Sequence, residues 1–383
     1  MTGRTTVILG GGVGGVVAAR RLRARLPRTD RVVLVDRSER HLFQPSLLWL
    51  ATGTRRAERI QRPLAAMVGR GVELVLGEIE AIDPALRATR VAGQEIAADA
   101  LIIALGADLA PELVPGLAEG GHNLYTLAGA QAIEQVLGRI ESGRVVVLTA
   151  APAYKCPAAP YEAAMLVEAL LAARGVRGAV ELSLYAAEPG PMGVAGPVVS
   201  AGVRQMVESR GIGYFPEHQV ARVDPAGRTL HFANGATAGY DLLIYVPPHR
   251  APAAVRAAGL TNAAGWVPVH RGTLATEFPG VFAIGDVTTI SLAMGKPLPK
   301  AGVFAHRQAE VVADNLVAAW TGHGSPRAFE GHGECFLETG FGRAGFGAGN
   351  FYGEPLPQVA LRSPNRWWHW GKVLFEWRWL RGW

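Results

Sequence analysis

Thr6-Val-Ile-Leu-Gly10-Gly-Gly12-Val-Gly-Gly15 is an apolar strand running into a G-x-G-x-x-G turn. From Val16 to Leu26, Ala, Val and Leu alternate with Arg20, Arg21, Arg23 and Arg25 at helical spacing. A second apolar strand, Arg31 to Val35, ends in Asp36. Strand, glycine turn, helix, strand and acid, in that order, form the context in which the glycine motif binds a dinucleotide. Gly10 permits the tight turn, Gly12 lets a pyrophosphate approach the backbone, and Gly15 lets helix and strand pack closely. Val13 and Gly14 open the helix, whose N-terminal amides and dipole favour phosphate. Asp36 is placed for the ribose hydroxyls, with Arg37 beside it.

Phe278-Pro-Gly-Val-Phe-Ala-Ile-Gly285-Asp286 resembles the second FAD signature of the two-dinucleotide-binding-domain flavoproteins, in which a strand delivers an aspartate to the ribityl chain. Asp99-Ala-Leu-Ile-Ile-Ala104-Leu-Gly106 and Tyr240-Asp-Leu-Leu-Ile-Tyr-Val resemble the strand and crossover segments of the same family. The resemblance spans nearly the whole chain and implies bound FAD in an α/β fold with two Rossmann-like domains. The FAD domain is expected over residues 1–115 and 240–325, the inserted second domain over 116–239, and a C-terminal region over 326–383. His41-Leu-Phe-Gln44-Pro-Ser and Pro299-Lys300-Ala-Gly302-Val303-Phe are similar to segments that line the flavin. Lys300 is thereby implied to stabilise negative charge on the reduced cofactor.

The second domain should open at Arg144-Val-Val-Val-Leu-Thr-Ala, after which NAD(P)H-dependent relatives carry another glycine motif. Here the strand runs into Thr149-Ala-Ala-Pro-Ala-Tyr-Lys155-Cys156-Pro-Ala-Ala-Pro160-Tyr-Glu162. Proline removes the backbone donors from which phosphate sites are built. That argues against a nicotinamide donor, and so against a type II NADH:quinone oxidoreductase.

The same loop resembles the cysteine loop of sulfide:quinone oxidoreductases and of the flavoprotein subunit of flavocytochrome c sulfide dehydrogenases. Glu334-Cys335-Phe-Leu-Glu-Thr-Gly-Phe341-Gly is similar to the region holding their other redox cysteine. The resemblance implies that hydrosulfide opens a Cys156–Cys335 disulfide, or a sulfur-bridged form of it, and that two electrons pass to FAD and on to quinone. Cys156 is then the sulfur carrier, Cys335 the flavin-facing thiol and Glu162 the proton shuttle. Phe336, Phe341 and Phe346 are the aromatic candidates for the quinone. Lys155 and the helix start behind Cys156 are expected to lower its thiol pKa. Many such enzymes have a third cysteine before the inserted domain, where this chain reads His122-Asn-Leu-Tyr-Thr. With Cys156 and Cys335 alone, no disulfide scaffold can form.

Six of the nine tryptophans fall between Trp367 and Trp383. On a helix, His369, Lys372 and Glu376 make one narrow polar stripe, while Arg378 and Arg381 lie off it and suit a headgroup region. This segment reads as an amphipathic anchor lying on the membrane, from either side. A flavocytochrome-type subunit, whose acceptor is soluble, needs no such tail.

The 383 residues are 49% hydrophobic and 18% charged, enough for large cores and too apolar for wholesale disorder. Four of the six excess positive charges lie in residues 362–383, so the basicity points to an anionic lipid surface and not to nucleic acid. The longest stretch without a charged residue, Pro189 to Val203, is too short for a spanning helix. The apolar strand begins by Thr6 with no charged region before it, which argues against a Sec signal peptide. A homo-oligomer is left open.

Overall fold

The protein is described here from a computed structural model covering residues 3–382. Its first sheet has five parallel strands in the order Val281–Ala283, Ala100–Ile103, Thr5–Leu9, Arg31–Asp36, Glu73–Leu76. Strands buried on both faces need continuous apolar runs, which these segments supply. On one face, the helices Val13–Arg25 and Gly302–Thr321 pack through Val16, Ala19, Leu22, Val312 and Leu316. On the other, Val255, Leu260 and Trp266 close over Val7, Leu9, Val33 and Leu101.

The second sheet is also parallel: His122–Asn123, Leu242–Val246, Gly143–Thr149, Val180–Ala186, Gly213–Phe215. The helices Ala159–Ala173 and Pro197–Glu208 contribute to its core. Leu242–Val246 corrects the sequence-derived boundary. It pairs with Gly143–Thr149 from Val145↔Leu242 to Thr149↔Val246, so the second sheet takes in the chain through Val246 instead of ending before residue 240. The segment is apolar like its neighbours, and nothing local in the sequence says which of two parallel sheets it enters.

A three-stranded antiparallel sheet, His332–Gly340, Arg343–Asn350 and Gln358–Asn365, lies against the helix Ala159–Ala173 and leads into the C-terminal helix Arg366–Leu380. Asn365 caps that helix by accepting the Trp368 N–H at 3.0 Å. The polar stripe faces inward: Lys372 and Glu376 are buried, and His369 is partly so. Trp367, Trp370 and Trp377, which are 82%, 62% and 50% exposed, face solvent with Leu374 and Phe375. Among the described residues no helix is long and apolar enough to cross a membrane. Trp383 lies outside the described residues.

Candidate active site

The glycine turn is built as close approach demands. Gly10 has φ +103°, and a Cβ on Gly15 would fall 1.8 Å from the Gly10 carbonyl oxygen. A Cβ on Gly12 would meet nothing within 4 Å, so this side of the turn is open to a ligand. Asp36 accepts the Gly11 N–H at 2.5 Å and the Ser38 N–H at 2.7 Å, which fixes the turn to the second strand. Arg37 points away and pairs with Glu78 at 3.5 Å on the surface. Gly302 opens the second helix, its Cβ position 3.7 Å from Val13, so the starts of the two helices meet at the glycine turn, with Val303 following.

Asp286 sits in a short turn, Gly285–Val287, after the edge strand. Its Oδ1 is buried without a partner. Burial pushes its carboxyl up, while Lys155 and Lys300 pull the other way. An open glycine turn, two converging helix starts and an orphaned carboxylate oxygen suit the phosphates and the polyol chain of FAD. Ala104 and Gly106, the latter at φ +67°, follow the strand Ala100–Ile103, and Gln44 is exposed on a short turn. Lys300 donates to the backbone oxygens of Asp286 and Thr288 at 2.7 and 3.1 Å and lies 3.3 Å from the centre of the Trp266 ring. Its ammonium therefore staples the Asp286 turn, and burial lowers its pKa to about 8.

The cysteine loop is tied to this same segment. Cys156 N–H donates to the Lys300 carbonyl at 2.7 Å, and Lys155 bridges Lys300 as a parallel β pair. Tyr125 O–H donates to the Lys155 carbonyl at 2.7 Å and reaches the Cys156 carbonyl at 3.2 Å. Cys156 itself has φ +50°, a strained conformation for a non-glycine residue held by these contacts. Cys335 lies on the first strand of the C-terminal sheet, accessible from solvent, with its sulfur deep enough for burial to govern its ionisation.

The thiols are not activated in the sense the sequence suggested. Burial, then the Glu162 carboxylate, raise the Cys156 pKa to about 12, although Lys372 and the Ala159 N–H lower it. Burial, Cys156 and Glu162 likewise push Cys335 well up. Desolvation outweighs the helix start, and the cation that counts is Lys372, from the other end of the chain.

Lys372 donates to Glu162 Oε1 at 2.9 Å, with both side chains buried. The same oxygen accepts the Glu338 N–H at 2.8 Å. His369 Nδ1 lies 3.0 Å from Glu338 Oε2, and the Lys372 ammonium lies 5.0 Å from the Trp49 ring centre. Burial works against the Lys372 charge, but Glu162 and Glu338 outweigh it and its pKa rises. Burial also raises the Glu338 carboxyl. Glu338, Lys372 and His369 were not among the sequence candidates. Helical spacing showed the polar stripe but not what it would meet.

Phe336 and Phe346 come together at 5.2 Å, and Phe346 stacks on Trp368 at 4.4 Å under the C-terminal helix. Phe341 does not join them: it lies 58% exposed at the hairpin tip, near Arg210. Phe375 meets Phe43, beside Gln44, edge-on at 5.5 Å.

The class of protein this fold defines is a dinucleotide-binding oxidoreductase. The family model described as pyridine nucleotide-disulphide oxidoreductase matches residues 4–309, and the chain belongs to that family. A sulfide-quinone reductase of Aquifex aeolicus is 28% identical, covering 97% of this chain and 89% of the relative. The mitochondrial sulfide:quinone oxidoreductase of Mus musculus is 25% identical, covering 91% of this chain and 79% of the relative. The crystal structure of the Aquifex aeolicus sulfide:quinone oxidoreductase superposes with a TM-score of 0.86 at 26% identity, covering 99% of this chain and 92% of that one.

Proposed function

We propose that the chain is an FAD-dependent sulfide:quinone oxidoreductase. The observation that supports this reading is a cysteine loop tied through Cys156 N–H to the Lys300 carbonyl, with the Lys300 ammonium on the Asp286 turn and the buried Glu162–Lys372 pair behind the loop. The likeness to sulfide:quinone oxidoreductases over nearly the full chain supports it. FAD, when bound, accepts an electron pair from sulfur and hands it on to quinone.

The cysteines do the sulfur chemistry. Hydrosulfide attacks the Cys156 sulfur of a Cys156–Cys335 disulfide; a new S–S bond forms, the old one breaks, and Cys335 leaves as thiolate. The persulfide on Cys156 would then rejoin Cys335 as a sulfur-bridged pair, losing one proton and the electron pair that bound FAD would accept. Lys372 offsets the thiolate charge that burial disfavours, and the Glu162 carboxylate, whose charge acts on both cysteines, receives the proton. Repeated turnover lengthens the sulfur chain until product leaves. Phe336 and Phe346 supply aromatic surface for the quinone ring. The outward tryptophans of the C-terminal helix lie in the membrane interface, where quinone is found.

The test is an anaerobic titration of the purified holoenzyme with sulfide, following flavin absorbance, and then addition of a short-chain quinone. Bleaching by sulfide and recovery with quinone are the expected results. Bleaching without recovery would move the assignment to a flavocytochrome-type subunit, and bleaching by NADH alone would overturn it.

A further inference from the structure

In the first domain the strand next to Thr5–Leu9 ends in Asp36, the position of the ribose-reading acid. In the second domain the strand next to Gly143–Thr149 is Val180–Ala186, and two residues beyond its end stands Glu188. Its partners belong to the protein. Thr149 Oγ1 donates to Glu188 Oε2 at 2.8 Å, and Tyr161 O–H donates to Oε1 at 2.7 Å. Tyr154 O–H donates to the same Oε1. Thr149, Tyr154 and Tyr161 are all buried.

Tyr154 and Tyr161 lie on either side of Cys156 in the chain. Both are drawn onto one carboxylate that follows a different strand of the sheet. The carboxylate is thus the anchor of the loop at its second-sheet end, as Lys300 and Tyr125 are near the cysteine itself. Cys156 needs such over-determination, because its φ of +50° is costly for an L residue.

We propose that Glu188 is a positioning residue for Cys156: the acid at the ribose-reading place of the second nucleotide fold holds one phenol of the cysteine loop and one of the helix that follows it instead of a ribose, which both seats the thiol and closes that fold to a nicotinamide nucleotide. The inference rests on the reading of Cys156 as the sulfur carrier. Glu188 touches no reacting atom and acts through Tyr154 and Tyr161.

The experiment compares the holoenzyme with Glu188→Ala, Glu188→Gln, Tyr154→Phe and Cys156→Ser. The first readout is sulfide-driven flavin reduction at saturating and half-saturating sulfide, normalised to bound flavin. The second is iodoacetamide modification of Cys156 in the reduced protein, followed by mass spectrometry. Glu188→Ala is expected to slow flavin reduction at saturating sulfide by about 10- to 100-fold, as misplacement of a reacting group does, with a smaller change in the half-saturating concentration. It is also expected to speed the alkylation of Cys156. Glu188→Gln, which keeps an acceptor oxygen, should restore part of both. Tyr154→Phe, which removes one donor and little volume, should shift both readouts in the same direction. Wild-type rates and alkylation in Glu188→Ala and Tyr154→Phe would overturn the proposal, as would a loss in Glu188→Ala fully accounted for by lost flavin. Wild-type sulfide-driven reduction in Cys156→Ser would sink the reading of Cys156 instead, and the alkylation measurement would still decide the role of Glu188.

Discussion

Lys372 and Glu162 lie 210 residues apart in sequence and 2.9 Å apart in space, joined by a salt bridge from which water is nearly excluded. The bond ties the C-terminal helix to the first turn of the helix behind the cysteine loop. Breaking one half of a buried pair strands the other charge, and that costs about 3–5 kcal/mol. Lys372→Met should therefore lower the unfolding free energy of the holoprotein by that order in a denaturant titration. The double variant with Glu162→Gln should recover much of it, because the stranded carboxylate is gone. A loss in the double variant equal to the sum of the losses in Lys372→Met and Glu162→Gln would show that the pair is not coupled.

The thiol chemistry has a pH signature opposite to that of an activated cysteine. With a pKa of about 12, reduced Cys156 carries little thiolate near neutrality. In a Cys335→Ser background, its alkylation by iodoacetamide should rise about tenfold per pH unit from pH 8 to 11 without levelling. A plateau below pH 9 would mean that Lys372 and the helix start outweigh burial after all. In the oxidised protein the same burial makes Cys335 a reluctant leaving group, so Lys372→Met should also slow flavin reduction by sulfide.

How far the sequence could be read follows from what each residue needs from its neighbours. Gly10, Gly12, Gly15 and Asp36 declare themselves because the chemistry of the turn is local: one close contact, one open side, one strand end. Cys156 and Cys335 are singled out only by resemblance, since nothing in their spacing brings them near one another. The membership of Leu242–Val246 was not legible, because an apolar strand fits either sheet equally well. Lys372 and Glu376 were visible as a stripe, yet a helical wheel has no inside. Tertiary partners such as Glu162, Ser46 and Arg55 decide that. The lowered pKa expected for Cys156 failed because adjacency in sequence says nothing of burial.

His249 gives the protein a measurable acid sensitivity. Its Nδ1 is 2.8 Å from the Pro247 carbonyl, and its Nε2 is buried without a partner. Burial, with Lys155 and Lys300 nearby, lowers its pKa to about 3. The folded state therefore refuses a proton that the unfolded chain accepts at its ordinary value of 6.5. The stability His249 contributes is present above that pH and is lost as pH falls below it. Between pH 6.5 and 5 this amounts to about 2 kcal/mol. His249→Gln should reduce the difference between unfolding free energies measured at pH 7 and pH 5 by about that much. His41 and His306 are also shifted down by burial and should leave a residual slope. An unchanged difference would mean that His249 titrates normally.

Removing the tail would be a poor test of membrane attachment, because the helix is also part of the folded core. Trp379 Nε1–H donates to His41 Nε2 at 2.9 Å, and His41 Nδ1 lies 2.9 Å from the Gly11 carbonyl of the dinucleotide turn. Glu376 accepts from Ser46 at 2.6 Å and pairs with Arg55 at 2.8 Å. A chain cut before Ser363 would lose these ties together with Lys372, so its loss from membranes could reflect misfolding. The outward face can be changed without touching them. Trp367→Ser, Trp370→Ser and Trp377→Ser together remove exposed aromatic surface and leave the inward stripe intact. On vesicles of mixed phosphatidylglycerol and phosphatidylcholine, the triple variant should bind more weakly by about 3 kcal/mol, roughly 100-fold, from lost apolar burial. Its flavin content and its reduction by sulfide in solution should match those of the wild type, while turnover with vesicle-embedded quinone falls. Undiminished vesicle binding would exclude this face as the attachment surface.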